Sequence, residues 1–184
     1  RISAAELNIG EARFAPAAID ATLASGVVTT SFSRLGAYEG QANGVLSIDA
    51  STNIPSYALQ ADVTGVRALP LLSSLADFGN VDGKMQAKAD VRGTGTSLRA
   101  IMSSLTGSAS VDVRDGAIRN LNLAKMIRAL TSGTLSGWQQ RPDQTTDLSQ
   151  LSATATIAQG RATTNNLFLA GPLVRMTGAG IVDL

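Results

Sequence analysis

The sequence predicts a mainly β fold of the α+β class: a large, strongly curved antiparallel sheet with about three short helices. Three observations predict it. Small apolar and polar residues alternate along many segments, which is the two-residue period of a strand with one dry and one wet face. The pairs Ser25-Gly26, Asn43-Gly44, Asp82-Gly83, Asp115-Gly116 and Gln159-Gly160 punctuate that alternation with residues suited to tight turns. The composition also fits a bent sheet of small side chains: of 184 residues 44% are hydrophobic, only 4% aromatic and 16% charged, and 18 are glycine.

From the N-terminus, residues 2–10 read as a strand and a turn, and Ile19, Ala21 and Leu23 mark one face of another strand. Residues 37–50 form a strand candidate in which Asn43-Gly44 is either a turn or a bulge. Residues 57–66 follow. The clearest alternation comes next, with Met85, Ala87, Ala89 and Val91 opposed to Lys84, Gln86, Lys88, Asp90 and Arg92. Ala109, Val111 and Val113 repeat it, and Asp115-Gly116 after them predicts a hairpin. Ala153, Ala155 and Ile157 repeat it again, with further strands at 161–169 and 173–183. In the last of these, Gly178 and Gly180 share one face, the mark of a close backbone approach or sharp curvature.

Three short stretches change to helical spacing. These are Leu69, Leu72 and Leu75-Ala76; Leu98, Ile101, Met102 and Leu105 after Thr96 as N-cap; and Leu123, Met126, Ile127 and Leu130 after Asn122 as N-cap. Strand and helix alternating between 57 and 131 invite a parallel βαβ reading. The strands are half polar, however, whereas parallel strands are covered on both faces and read as continuous apolar runs. Residues 131–147 lack periodicity and read as a flexible loop, bland in itself, in which Trp138 is the candidate for a membrane or lid contact.

The composition excludes much chemistry. The chain has no cysteine and no histidine, so thiol nucleophiles, thiolate metal sites and the commonest general base are missing. A net charge of +1 gives no footprint for nucleic acid. Gly93-Thr94-Gly95-Thr96-Ser97-Leu98 sits between strand and helix like a dinucleotide-binding turn, but Leu98 replaces the third glycine and no acidic residue follows in the right place. The carboxylate pairs Asp112 with Asp115 and Asp77 with Asp82 form no site, because Asp115 and Asp82 belong to turns. The reading is therefore non-enzymatic, with no metal and no cofactor.

What remains is the apolar face. Met85, Ala87, Ala89, Val91, Ala109, Val111, Val113, Ala155 and Ile157 lie on it by alternation, and Leu72, Leu75, Ile101, Met102, Met126 and Ile127 from the helices line or plug it. Three short helices cover less than such a sheet presents, and a large uncovered apolar patch marks a binding surface. The bland alternative is that each position is ordinary core.

Several motifs in series carry a family resemblance. They are Tyr57-Ala58-Leu59-Gln60-Ala61-Asp62-Val63-Thr64-Gly65-Val66 with a leucine-rich helix at 69–75; Val81-Asp82-Gly83 and a strand ending Val91-Arg92-Gly93-Thr94-Gly95-Thr96-Ser97; Leu105-Thr106-Gly107-Ser108-Ala109-Ser110-Val111 leading to Asp115-Gly116-Ala117-Ile118-Arg119-Asn120-Leu121-Asn122-Leu123; and Thr146-Asp147-Leu148-Ser149-Gln150-Leu151, Gln159-Gly160 and a final Gly178-Ala179-Gly180-Ile181-Val182-Asp183-Leu184. In this order, over about residues 35–184, the chain resembles the C-terminal region of AsmA-like proteins of the Gram-negative envelope.

The resemblance implies a single β-rich domain over 1–184, part of a longer inner-membrane-anchored protein whose anchor lies outside this chain, and a periplasmic location. It also implies phospholipid, or another acyl-chain ligand, carried along an apolar groove in support of outer-membrane assembly. The alternative is a scaffold that binds an envelope protein through a sheet edge or the apolar face. Homodimerisation through sheet edges is a further expectation.

Overall fold

The computed structural model describes residues 2–4, 7–9, 12–76, 78–120, 145–172 and 174–184. Among these residues twelve strands and two helices follow in chain order: β1 (Ile2–Ala4), β2 (Leu7–Ile9), β3 (Ala12–Phe14), β4 (Ala17–Ala24), β5 (Val27–Ala37), β6 (Gly40–Asp49), β7 (Ser56–Arg67), α1 (Ala68–Ala76), β8 (Val81–Thr94), α2 (Leu98–Ser104), β9 (Thr106–Arg119), β10 (Thr145–Ala158), β11 (Arg161–Ala170) and β12 (Arg175–Asp183). Ten of the strands form one sheet in the order β1-β4-β5-β6-β7-β8-β9-β10-β11-β12, while β2 and β3 pair as a separate hairpin. Every neighbouring pair is antiparallel, so the parallel βαβ reading is excluded and the mainly antiparallel prediction holds.

The helices sit at opposite ends of the sheet. α1 joins β7 to β8 at one end; α2 joins β8 to β9 at the other. The core lies at the α1 end, where Phe14, Ala17, Leu35, Val66, Ala68, Leu71, Val81, Met85, Val113 and Leu148 form one buried cluster. Ala17 on β4 and Leu148 on β10 stand far apart in the strand order yet belong to this one cluster, so the sheet curls around α1. It does not close, because β1 and β12 end the strand order unpaired with one another.

The Ser25-Gly26 and Gln159-Gly160 turns are present, each with positive φ at both residues. Three expectations are corrected. Asp115-Gly116 is a bulge inside β9, not a hairpin: Asp115 takes φ +51 within a strand that runs on to Arg119. A side chain on Gly116 would stand 2.0 Å from the Asp82 carbonyl, so the approach of β8 requires glycine there. Asp82-Gly83 likewise lies within continuous β8 and not in a turn. Asn43-Gly44 follows the strand reading of its segment, within continuous β6, and the turn before it is Tyr38-Glu39. The N-cap of α2 is Ser97, not Thr96: its side chain accepts from the Ala100 N–H. The strand β5 was not anticipated. Of the loop read at 131–147, residues 145–147 belong to β10. The rest of that loop, with Trp138, lies outside the described residues, as does the third helix with Met126 and Ile127.

Candidate functional site: an apolar sheet face

Register aligns the apolar residues of successive strands into rows across the sheet. One row runs through Phe32, Gly44, Ala61, Ala89, Ala109, Ala155, Thr164 and Gly180. The row toward α2 holds Leu46, Leu59, Val91, Gly107, Ile157, Ala162 and Val182. Toward α1, Val63, Ala87, Val111 and Ala153 form a third row, and Val66, Met85, Val113, Leu151, Leu169 and Met176 a fourth. Cross-strand neighbours on one face are the contacts that stabilise a sheet, so the rows are also structural.

The predicted strand residues Met85, Ala87, Ala89, Val91, Ala109, Val111, Val113, Ala155 and Ile157 thus share one face. They do not share one environment. Met85 and Val113 are buried in the α1 cluster, with Leu72 partly buried against it. Ala87 and Val111 pack at the edge of that cluster. Ala89, Val91, Ala109 and Ala155 are only half-buried and lie outside it, while Ile157 is buried on its own. The side chain of Leu75 lies outside the described residues.

Ile101 and Met102 serve the packing of α2. A side chain on Gly93 would stand 2.9 Å from the Ile101 carbonyl, and one on Gly160 would stand 2.7 Å from the Met102 carbonyl. The glycine of the Gly93-Thr94-Gly95 turn therefore lets α2 lie close on β8, a packing reason for that motif. The Gly160 N–H donates to the Leu105 carbonyl and ties α2 to the β10–β11 turn. α2 buries none of its own residues, and Leu98 is 75% exposed.

The opposite face is a ladder of paired polar groups. Lys88 Nζ stands 2.7 Å from Asp62, and the Gln60 amide donates to Asp90. Arg114 and Gln150 both donate to Asp112, at 2.6 and 2.7 Å. The Lys88 hydrogen bond holds the Asp62 carboxyl below the usual carboxylate range, and that of Arg114, helped by Gln150, does the same for Asp112. A depression of about 520 Å³ is lined by Asn43, Gln60, Asp62, Lys88 and Asp90 of this face together with Gly44, Ala61, Ala89 and Ala109 of the first apolar row. At the α1 end Arg67 grips Asp82 with two hydrogen bonds, of 3.2 and 2.7 Å, and Asp82 also accepts from the Gly83 N–H. The Arg67 contact lowers the Asp82 carboxyl pKa, against the opposing effect of burial.

Sequence reasoning missed part of the face, namely Phe32, Leu46, Leu59, Ala61 and Leu169. Leu59 and Ala61 on β7 alternate as clearly as the residues it named, whereas Leu169 lies in the continuous apolar run Leu167–Ala170 beyond a register shift and Leu46 directly follows Val45. Among the described residues, no helix is long and apolar enough to cross a membrane, and no group of three acidic side chains could hold a metal ion.

No curated protein and no solved structure gives a match. The sequence model of the AsmA family matches residues 18–167, well over half of the chain and all the strands from β5 to β10. The chain belongs to the AsmA family, which is associated with the Gram-negative envelope and with outer-membrane assembly.

Proposed function

We propose that the uncovered part of the apolar face binds the acyl chains of phospholipid, as a non-enzymatic step of outer-membrane assembly carried out in the periplasm by a protein tethered to the inner membrane. The observation that carries this reading is the register: rows of small apolar residues run unbroken across the strands, and only their α1 end is sealed by core. Half-exposed Leu59, Ala61, Ala89, Val91 and Ala109 offer an acyl chain a track with no charged side chain on it. Burial there is favourable by about 0.8 kcal/mol per methylene, and the headgroup stays in water.

A photoreactive residue at 89 or 109, with position 88 on the reverse face as control, tests the reading in the presence of phospholipid vesicles. Crosslinks to lipid from 89 and 109 and none from 88 are expected. Crosslinks to protein alone, or equal lipid capture from 88, reject it. Native mass spectrometry of the purified chain should show co-purifying phospholipid.

A further inference from the structure

The first apolar row changes character at β6. From β7 to β10 it consists of Ala61, Ala89, Ala109 and Ala155, one methyl group per strand. At β6 it reaches Gly44, and the space above this glycine is filled. A side chain there would stand 2.5 Å from Phe32 Cζ and 2.7 Å from Phe32 Cε2, so the Phe32 ring lies over the glycine. Phe32 pairs with Gly44 on one side and with Ile19 of β4 on the other. Phe32 and Ile19 both pack against the α1 core cluster, which holds the ring in place. Past β6 the floor of small side chains therefore gives way to a wall of large ones.

At its other end the row meets Thr164 on β11, the first hydroxyl after the four alanines. The two ends thus differ in chemistry. An aromatic ring suits the methyl terminus of an alkyl chain, and a hydroxyl suits the polar end. β6 and β11 are five strand spacings apart, roughly 24 Å at about 4.8 Å each. A C–C bond of about 1.5 Å advances an extended alkyl chain by roughly 1.3 Å, and van der Waals contact at the ends takes up about 3.5 Å, which leaves room for about 16–18 carbons.

We propose that the Phe32 ring is a stop for the methyl terminus of a bound acyl chain, so that the site takes chains of up to about 18 carbons and discriminates against longer ones. The stop rests on the acyl-chain reading of the apolar face and adds to it the direction and the upper length of the chain. With the methyl end against Phe32, the headgroup end points toward β11.

Single-chain phospholipids isolate the effect of length. Native mass spectrometry of the whole chain with a series of lysophosphatidylglycerols, from about 12 to about 22 carbons, should show affinity rising about fourfold per added methylene to a cut-off at about 18 carbons, with no gain beyond it. An aromatic ring over a cross-strand glycine also stabilises a sheet. The readout is therefore the position of the cut-off, which a purely structural role would not move. Phe32→Leu keeps apolar volume against the core but withdraws the ring, and should move the cut-off to longer chains. Ala61→Phe sets a ring one strand further in and should shorten it by about four carbons. Ala61 is half-buried and outside the core cluster, so this variant decides the matter even if Phe32→Leu fails to fold. Affinity that climbs through the longest chain, or a cut-off that stays in place in either folded variant, overturns the stop and leaves the acyl-chain reading standing. Binding at no length overturns both.

Discussion

At the α1 end, the apolar face is closed: Val66 is 0%, Val113 2% and Met85 4% exposed. Toward α2, the same strands carry the same alternation, yet Leu59, Ala89, Val91 and Ala109 stay half in water, and α2 buries none of its own residues. Strand period decides which way a side chain points. Whether that side chain leaves water is decided by what lies over it, and α1 covers its end of the face with Ala68 and Leu71 where α2 adds little. The contrast divides one chemically uniform face into a part that holds the fold and a part free to bind.

The sharpest way to break the contrast is to truncate both halves. Met85→Ala should cost about 2–5 kcal/mol, the range for buried methionine, while Leu59→Ala on the half-exposed track should cost well below that range. Urea unfolding of the two variants checks this, and equal losses would erase the distinction. A smaller effect is expected at α2: Ser97→Ala removes the cap and should cost about 1 kcal/mol, seen as faster hydrogen exchange over α2 with the amides around Val66 and Met85 unchanged.

Smallest is the pH term at the α1 end. The Asp82 carboxyl is lowered by Arg67, so it contributes stability above the unfolded carboxylate value of about 4, and that contribution is lost as pH falls through the lower folded value. Arg67 is partly exposed, and salt weakens the pair. Asp82→Asn should therefore be less stable than the parent near neutral pH, and the gap in urea midpoint should close in strong acid.

Much of the fold was legible because β8, β9 and β10 bury one face and wet the other, and that leaves period two in the sequence. β5 was not, for a physical reason. One extra residue in the bulge at Ser33-Arg34, both exposed, shifts the phase, so that Leu35 and Phe32 fall on one face at a spacing of three. Asp115-Gly116 misled because a bulge and a tight turn demand the same residues. The approach of Gly83 on the next strand selects between them, and no local pattern records that contact. For the candidate site, alternation found the face but not its division, since Val113 and Ala109 follow one pattern and only the placement of α1 separates them.

The uninterrupted neighbour order from β4 to β12 makes strand number a ruler. Among the described residues these nine strands leave eight gaps of about 4.8 Å, roughly 38 Å measured along the sheet, more than the roughly 30 Å hydrocarbon thickness of a bilayer. Each hairpin gained or lost would change that span by about 10 Å without touching the chemistry of any row. Reach is thereby separable from affinity: the first is counted in strands, the second in methyl groups.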